Sequence, residues 1–286
     1  MLKVYVIVLF EGVDGMIYAM SDIHGCFNEL EENMQFVDLS GDNKIIFLGD
    51  YIDYGKQSYK VLEYIKSLQE QYGEDKIIVL KGNHEAMFLE WIDDFSGSDE
   101  PYLEALAIDS WLKTDSEYRF NTFRTFITRE ELEEYETFCR KASGVEMNKR
   151  AVEIINSKYA DLIQWIRNMP SFYETKTQVF VHAGVDEEAG EYWMWGSGDE
   201  VFLWKFPASR GEFIKTIVAG HVGTGDIAGD KHFHDIYHDG KSHYYIDGSV
   251  YKHGKLILMC YDEEEDKYYE LKNGKKELVK KFEMYR

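Results

Sequence analysis

Five short apolar runs, each followed at once by potential metal ligands, constrain what this chain can fold into. Each run has the length and composition of a buried β-strand, and helical patterns lie between several of them. Such alternation is typical of a layered α/β fold, in which ligands bind just outside the carboxyl ends of the strands. We therefore expect the polar residues after the runs to meet in one crevice. The runs at 17–20, 45–48, 77–80, 179–181 and 217–219 lead into SDIHG (21–25), GDYID (49–53), KGNHE (81–85), HAG (182–184) and GH (220–221).

The length of the chain and the absence of a linker-like segment favour one domain over 1–286. Helices are predicted over about 26–37, 56–71 and 84–94 from the spacing of their apolar residues. Residues from about 93 to 168 lack strand-like runs, so we expect a helical insertion that covers one end of the sheet. Its many aromatic side chains should form a helix core, with a wall that grips the substrate as the alternative.

The carboxyl-terminal part of the chain, from about residue 232, carries strand-like pieces as well. Strands are predicted over 244–246, 256–259 and 268–269. The charge run 262–266 separates the last two and is interpreted as a solvated turn.

The amino-terminal segment 1–15 matches nothing in the strand-and-ligand pattern, which begins at Ile17. The dipeptide Glu11-Gly12 can be encoded by a purine-rich stretch that resembles a bacterial ribosome-binding site just before Met16. We therefore interpret 1–15 as a possible translated leader, with a genuine edge strand over 4–10 as the alternative.

Charge and cysteine content exclude several classes of function. A formal net charge of −21 repels a nucleic-acid backbone, so general nucleic-acid binding is not expected. The same negative charge repels an anionic substrate unless divalent metals make the potential positive near the site. The three cysteines lie far apart and form neither a disulfide framework nor a CxxC site, which fits a reducing cytoplasm. The apolar stretch at 4–10 is too short to cross a bilayer, so no membrane association is expected.

The residues after the runs have the chemistry of a two-metal site. Asp22 and His24 are two positions apart, so their side chains point to the same side of an extended chain. Carboxylate, imidazole and amide oxygen without thiolate suit Mn, Fe or Zn better than Ca. A central carboxylate such as Asp50 can bridge two ions about 3.5–4 Å apart, which then clamp a phosphoryl group and activate water. Each motif alone is more often a turn or loop, but burying three histidines and several carboxylates together without metal would be costly.

At these residues the chain resembles the calcineurin-like metallophosphoesterases, and within them the phosphoprotein-phosphatase branch. The family blocks GDxHG, GDxxDRG, GNHE, a histidine block and GH read here SDIHG, GDYIDYG, GNHE, HAG and GH, in the same order from residue 21 to 221. The resemblance implies an α/β fold, the four-layer α/β/β/α sandwich of this family with a helical insertion. It also implies hydrolysis of a phosphate ester by hydroxide that two metal ions activate, with Mn²⁺ expected first and Fe or Zn as alternatives.

The resemblance assigns roles to individual residues as well. Two metal-binding sets would share one bridging carboxylate, the first being Asp22, His24 and Asp50 and the second Asp50, Asn83, His182 and His221. His84 would be the general acid that protonates the leaving oxygen, and Asp53 would hold it in place. Asp247 would support the site from a strand end, with a plain turn as the alternative.

Two departures from the family concern the residues that would grip the phosphate oxygens. The family usually has arginine after the second-block aspartate and often before GNHE, where this chain has Tyr54 and Lys81. Lys81 keeps the charge but loses the two-pronged fork, and Tyr54 keeps only a hydroxyl donor. A further basic contact is expected from Lys205 or Arg210, so these four are the predicted substrate-binding residues.

The leading functional hypothesis is a phosphomonoesterase of the Ser/Thr protein phosphatase type, acting on a phosphorylated protein or a small phosphoester in the cytoplasm. The alternative is a dinucleoside-polyphosphate hydrolase or a phosphodiesterase, because the same metal centre serves all of these reactions. The complete ligand set argues against a third possibility, a non-enzymatic scaffold. The pocket discriminates between the enzymes, since a nucleotide enzyme needs stacking aromatics in the insertion and a protein phosphatase needs an open groove.

Overall fold

Two β-sheets form the centre of the computed structural model, which describes residues 15–97, 102–108, 110–112 and 122–283. Their strands are β1 (Met16–Met20), β2 (Lys44–Phe47), β3 (Ile77–Val79), β4 (Phe172–Glu174), β5 (Gln178–Val181), β6 (Thr216–Ala219), β7 (Tyr237–His238), β8 (His243–Tyr245), β9 (Met259–Asp262), β10 (Lys267–Lys272) and β11 (Lys275–Leu278). Within the described ranges the first sheet has the order β11-β10-β9-β1-β2-β3 and the second has the order β4-β5-β6-β8-β7.

Helices connect and flank these strands. They are α1 (Phe27–Met34), α2 (Ser58–Tyr72), α3 (Asn83–Ser96), α4 (Leu103–Ile108), α5 (Arg129–Cys139), α6 (Gly144–Asn168), α7 (Trp193–Gly196), α8 (Asp199–Trp204), α9 (Thr224–Ala228) and α10 (Val250–His253), with a 3₁₀ turn at Glu187–Tyr192. The helices predicted over about 26–37, 56–71 and 84–94 are confirmed as α1, α2 and α3. None of the helices among the described residues is long and apolar enough to cross a membrane.

The alternation of side chains along β1 shows how the layers are stacked. Ile17 and Ala19 point into an apolar layer shared with Phe180 and Val218 of the second sheet, so the two sheets pack face to face. Tyr18 and the other outward residues of β1–β3 pack against α1, α2, α3 and α6 instead. The outer face of the second sheet packs against α7, α8 and α9. The four-layer α/β/β/α sandwich is therefore confirmed.

Parallel pairing brings the carboxyl ends of the central strands to a common edge. In the first sheet β1 pairs parallel with β2, and β2 pairs parallel with β3. In the second sheet β5, β6 and β8 are parallel neighbours. Backbone hydrogen bonds continue past the strand ends, from Asp22 N to Gly49 O at 3.1 Å and from Gly220 N to His182 O at 2.8 Å. The segments after the strands are thus held next to each other, as the sequence predicted.

The aromatic residues around the predicted insertion are mostly buried. They pack in the layer outside the first sheet, against α3 and α6, and the members described there are Trp91, Phe95, Trp111, Phe123, Phe126 and Tyr135. Phe138 is the exception, with 42% of its surface exposed, and Tyr118 and Phe120 lie outside the described residues. These buried side chains form helix core rather than a substrate wall. The extent of a cap over 93–168 and the single domain over 1–286 remain predictions.

The strand predicted over 256–259 is wrong in position. Leu256, Ile257 and Leu258 are buried, but the strand begins at Met259 because β9 takes its register from β1, with Ala19 opposite Met259. The charge run is consequently a turn only from 263 onward, since Asp262 ends β9 and its carboxylate lies 3.1 Å from Lys276 Nζ. The alternatives for the amino-terminal segment, leader or edge strand, fall on residues 1–14, which lie outside the described residues.

Candidate metal centre

The residues predicted to form the site occupy sharp turns directly after the strands. Several of them have a positive backbone angle φ. Residues other than glycine adopt this region rarely and at a cost of about 1–3 kcal/mol each. They are Asp22 (54°), His24 (47°), Asp50 (58°), Asp53 (71°), Tyr54 (59°) and His221 (66°). This clustering of strained backbone marks the crevice as a site that the surrounding fold holds in place.

Two glycines allow the turns to approach each other. A side-chain carbon at Gly220 would collide with the side chains of Ser21 and Asp22, and one at Gly82 would collide with Asp50. Only glycine permits such close passage of backbone against a side chain. Asp22 and Asp50 are thereby packed directly against the neighbouring strand-end loops.

Asp50 lies between two groups of candidate metal ligands. Its Oδ2 is 3.6 Å from His24 Nε2, and its Oδ1 is 3.5 Å from His182 Nε2. Two sets of side-chain atoms close enough to share an ion both include it, namely His24, Asp50 and His84, and Asp50, His182 and His221. One carboxylate facing two such groups has the geometry of a bridge between two ions.

Backbone carbonyls orient two of the histidine rings toward the centre. His24 Nδ1 donates to Ile52 O at 2.8 Å, and His182 Nδ1 donates to Leu48 O at 3.0 Å. In a neutral imidazole the other nitrogen, Nε2, then carries a lone pair that faces the centre. Histidines that bind metals are held in this way by a partner on the second ring nitrogen.

Burial sets the charge states of these groups. It lowers the pKa of His24 and His182 well below the usual range and lowers the pKa of His221 to about 4. Burial and then the charges of Asp247 and Asp50 raise the pKa of Asp22 well above its ordinary value. The centre therefore combines neutral imidazoles with carboxylates that repel one another, a combination that bound cations would stabilise.

The surroundings of Asn83 test whether a metal fits. Its side-chain oxygen lies 2.8 Å from His182 Nε2, and the carboxylate of Asp50 and Nδ1 of His221 face the same end of the amide. Because His182 Nε2 is the lone-pair nitrogen, the amide oxygen points at acceptors and not at donors. Turning the amide would point its NH₂ at the same atoms, and a cation between them would satisfy them with the oxygen as placed. Acceptors gathered in this way fit a metal ion.

His84 differs from the other central histidines in its partner. Its Nδ1 lies 2.7 Å from Asp53 Oδ2, so a carboxylate rather than a carbonyl orients the ring. Asp53 is fully buried and receives hydrogen bonds from Thr122 Oγ1 at 2.8 Å and from Trp111 Nε1 at 3.3 Å. His84 Nε2 faces the centre, 3.8 Å from Asp50 Oδ2. The pair that the sequence predicted, His84 and Asp53, is therefore in contact.

Glu85 joins two of the strand-end loops. Its buried carboxylate accepts the backbone N–H groups of Asp50 at 2.9 Å, Tyr51 at 2.8 Å and Gly82 at 3.0 Å, with Ile52 further away at 3.4 Å. It lies in the first turn of α3, where the helix dipole favours a negative charge. Glu85 thereby fixes the backbone that carries Asp50 to the backbone that carries Asn83.

Asp247 follows β8 and approaches the same centre. It is buried, its Oδ1 accepts the Ser249 N–H at 2.7 Å, and burial raises its pKa to about 6. Its charge acts on both Asp22 and Asp50. Its position is compatible with the supporting role that the resemblance implies.

The predicted substrate-binding residues are not brought together. Lys81 Nζ donates to the carbonyl of Arg167 at 3.1 Å, Lys205 pairs with Glu187, and Arg210 donates to the carbonyl of Ile227. Tyr54 is the member of the four whose ring contacts the central histidines, with its centroid 4.7 Å from that of His24 and 5.3 Å from that of His84.

Four residues near the centre were missed by sequence reasoning. Trp111 and Thr122 contact Asp53, Tyr251 stacks on Tyr54, and the ammonium of Lys252 lies 5.0 Å from the Tyr251 ring centroid. Trp111 and Thr122 lie in a segment without any pattern that points to the site. Tyr251 and Lys252 could have been suspected, because they come shortly after the strand end at Asp247.

The fold and the centre together define a class. Two facing sheets, helices outside them and carboxylate and histidine groups at the strand ends make this an α/β protein of the metallophosphoesterase type. The calcineurin-like phosphoesterase family matches residues 15–246, and the chain belongs to this family. It is therefore a metal-dependent hydrolase of phosphoester bonds.

Solved structures with the same fold are distant in sequence. A candidate diadenosine tetraphosphatase is 15% identical, with a TM-score of 0.54 over 92% of this chain and 96% of that one. The cold-active protein-tyrosine phosphatase of a psychrophilic Shewanella species is 17% identical, with a TM-score of 0.58 over 94% of this chain and 81% of that one. At such low identity the similarity shows the fold alone, and the substrate has to be argued from the site.

Proposed function

We propose that the chain hydrolyses a phosphoester at a binuclear centre bridged by Asp50. The observation that carries the proposal is the position of Asp50, whose two oxygens face His24 and His182 separately. Asp22, whose Oδ1 lies 3.9 Å from His24 Nε2, would join His24 and Asp50 around one ion and leave His84 free for another role. Asp50, Asn83, His182 and His221 would hold the other ion. Two such ions would neutralise the phosphoryl oxygens and activate the attacking water.

His84 acts as the proton donor in this proposal. It reaches the centre through Nε2, and the Asp53 carboxylate at Nδ1 offsets the charge of a ring protonated on both nitrogens. The leaving oxygen would take the Nε2 proton as the P–O bond breaks. Trp111 and Thr122 orient Asp53, so they fix the direction in which His84 donates.

The first candidate substrate is a phosphomonoester of a protein or a small molecule, in line with the Ser/Thr phosphatase-type hypothesis. A second candidate, a phosphodiester or a dinucleoside polyphosphate, is favoured by one observation. The three basic residues predicted to grip the phosphate, Lys81, Lys205 and Arg210, are engaged elsewhere, and the neutral Tyr54 lies at the centre with Lys252 as a nearby cation. A reacting phosphate with one negative charge needs less neutralisation than a dianion.

The test is a substrate panel assayed with the metal content of the protein quantified. It contains para-nitrophenyl phosphate, bis-para-nitrophenyl phosphate, phosphopeptides and a dinucleoside polyphosphate. We expect hydrolysis that a chelator removes and added Mn²⁺ restores. Chelator-insensitive turnover, or no turnover of any substrate by the metal-loaded protein, would contradict the proposal.

A further inference from the structure

Two tyrosines from distant parts of the chain stack beside the metal centre. Tyr54 follows β2, and Tyr251 lies in α10 after β8. Their ring centroids are 4.1 Å apart and the rings are tilted by only 13°. Both side chains are half-buried, so the pair keeps some surface toward solvent.

Tyr54, and with it the tyrosine pair, lies beside His84, the proton donor in the proposed reaction. Tyr54 contacts both His24 and His84, and the Tyr251 ring centroid is 5.5 Å from that of His24. Because His84 delivers its proton to the leaving oxygen, the group bonded to that oxygen must lie close to His84. An aromatic ring attached directly to the oxygen would reach Tyr54, whose own ring centroid is 5.3 Å from that of His84.

The chemistry of the tyrosine pair suits a leaving group that contains a flat, neutral ring and is bonded to an anionic phosphate. Aromatic side chains prefer offset or edge-to-face contact with another ring, and such a pair gains about 0.5–1.5 kcal/mol beyond the burial of its area. Lys252 supplies a positive charge at the same place, with its ammonium 5.0 Å from the Tyr251 ring centroid. That charge is valuable on a chain with a formal net charge of −21.

We propose that Tyr54 and Tyr251 form a leaving-group subsite that selects aryl phosphoesters. The inference rests on the proposed hydrolysis at the same centre. In the reaction the water oxygen bonds to phosphorus as its proton passes to solvent, the P–O bond to the aryl oxygen breaks, and that oxygen takes the His84 proton to leave as a phenol. His84 then regains a proton from solvent.

The experiment compares an aryl phosphate with a fluoroalkyl phosphate whose leaving alcohols have matched acidity. The intrinsic reactivity of the two esters is then similar, so a difference in kcat/KM reports recognition of the aromatic ring. The variants are Tyr251→Leu, which removes the ring, and Tyr251→Phe, which keeps it. Lys241→Met, which removes an exposed lysine paired with Glu212, is the surface control.

We expect the wild type and Tyr251→Phe to favour the aryl ester in kcat/KM. In Tyr251→Leu this preference should fall by about 5- to 100-fold, the scale of one aromatic stacking contact, because kcat/KM falls far more for the aryl ester than for the fluoroalkyl ester while the metal content is retained. An equal loss of kcat/KM on both esters, or a preference for the aryl ester that survives Tyr251→Leu, would show that the tyrosine pair only packs against the centre. Either result would refute the proposed subsite. Failure of the wild type to hydrolyse either ester with metals bound would instead overturn the proposed hydrolysis.

Discussion

Glu85→Gln should lower the affinity of the centre for metal, although Glu85 is not one of the proposed metal ligands. The carboxylate uses Oε2 for the N–H groups of Asp50 and Gly82, and Oε1 for those of Tyr51 and Ile52. A glutamine has one oxygen, so its NH₂ must face two backbone donors whichever way the amide turns.

The size of the effect follows from these contacts. Two hydrogen bonds to a charged group, at about 1.5–3 kcal/mol each, are lost. Glutamine is less costly to bury than an ionised carboxylate, and this offsets part of the loss. We expect the free energy of unfolding to fall by about 2–4 kcal/mol. Metal affinity should fall by about 10- to 100-fold, as is usual when a residue that orients metal ligands is changed.

The assay is denaturant unfolding of the metal-free protein, together with metal titration by calorimetry. Glu90→Gln is the matched control, because Glu90 is exposed on the same helix and should change stability by no more than about 0.5 kcal/mol. If Glu85→Gln unfolds like Glu90→Gln and binds metal as tightly as the wild type, Glu85 does not fix the two loops.

Three further predictions address the bridging role of Asp50, the role of His84 as an acid and the ion pair of Glu187 with Lys205. Asp50→Asn should abolish turnover and lower the content of both metals, measured by elemental analysis; retention of both would exclude the bridge. His84→Asn should keep the metals but lose about 10²–10⁴-fold in rate with a poor leaving group and less with an activated one, and equal losses would remove the assignment as acid. Burial raises the pKa of Glu187, but hydrogen bonds from His243 and Lys205 outweigh burial and lower it to about 2. The depressed pKa stabilises the fold above the ordinary value of 4.5, so Glu187→Gln should be destabilised near neutral pH. Its unfolding free energy should approach that of the wild type as the pH falls from 4.5 toward 2; a gap that is constant with pH would contradict this.

The sequence alone predicted most of the architecture around the centre. Apolar runs of strand length followed by Asp, His and Asn fixed both the strands and the edge at which their ligands meet, because parallel strands share one carboxyl end. The error at 256–259 has a simple cause, since an apolar run shows that residues are buried but not which of them pair. Register depends on the partner strand, and the partner β1 lies more than two hundred residues away.

Side-chain direction and long-range contact were decided by the tertiary structure. Lys81 occupies the position expected for a phosphate contact, yet its ammonium meets the last turn of α6, which no local pattern encodes. Trp111 and Thr122 reach Asp53 from a segment far from the ligand motifs. The sequence determines which residue types stand at the strand ends, because that depends on local periodicity. Which distant side chains surround them depends on how helices and loops pack over the sheets, and only the folded chain sets that.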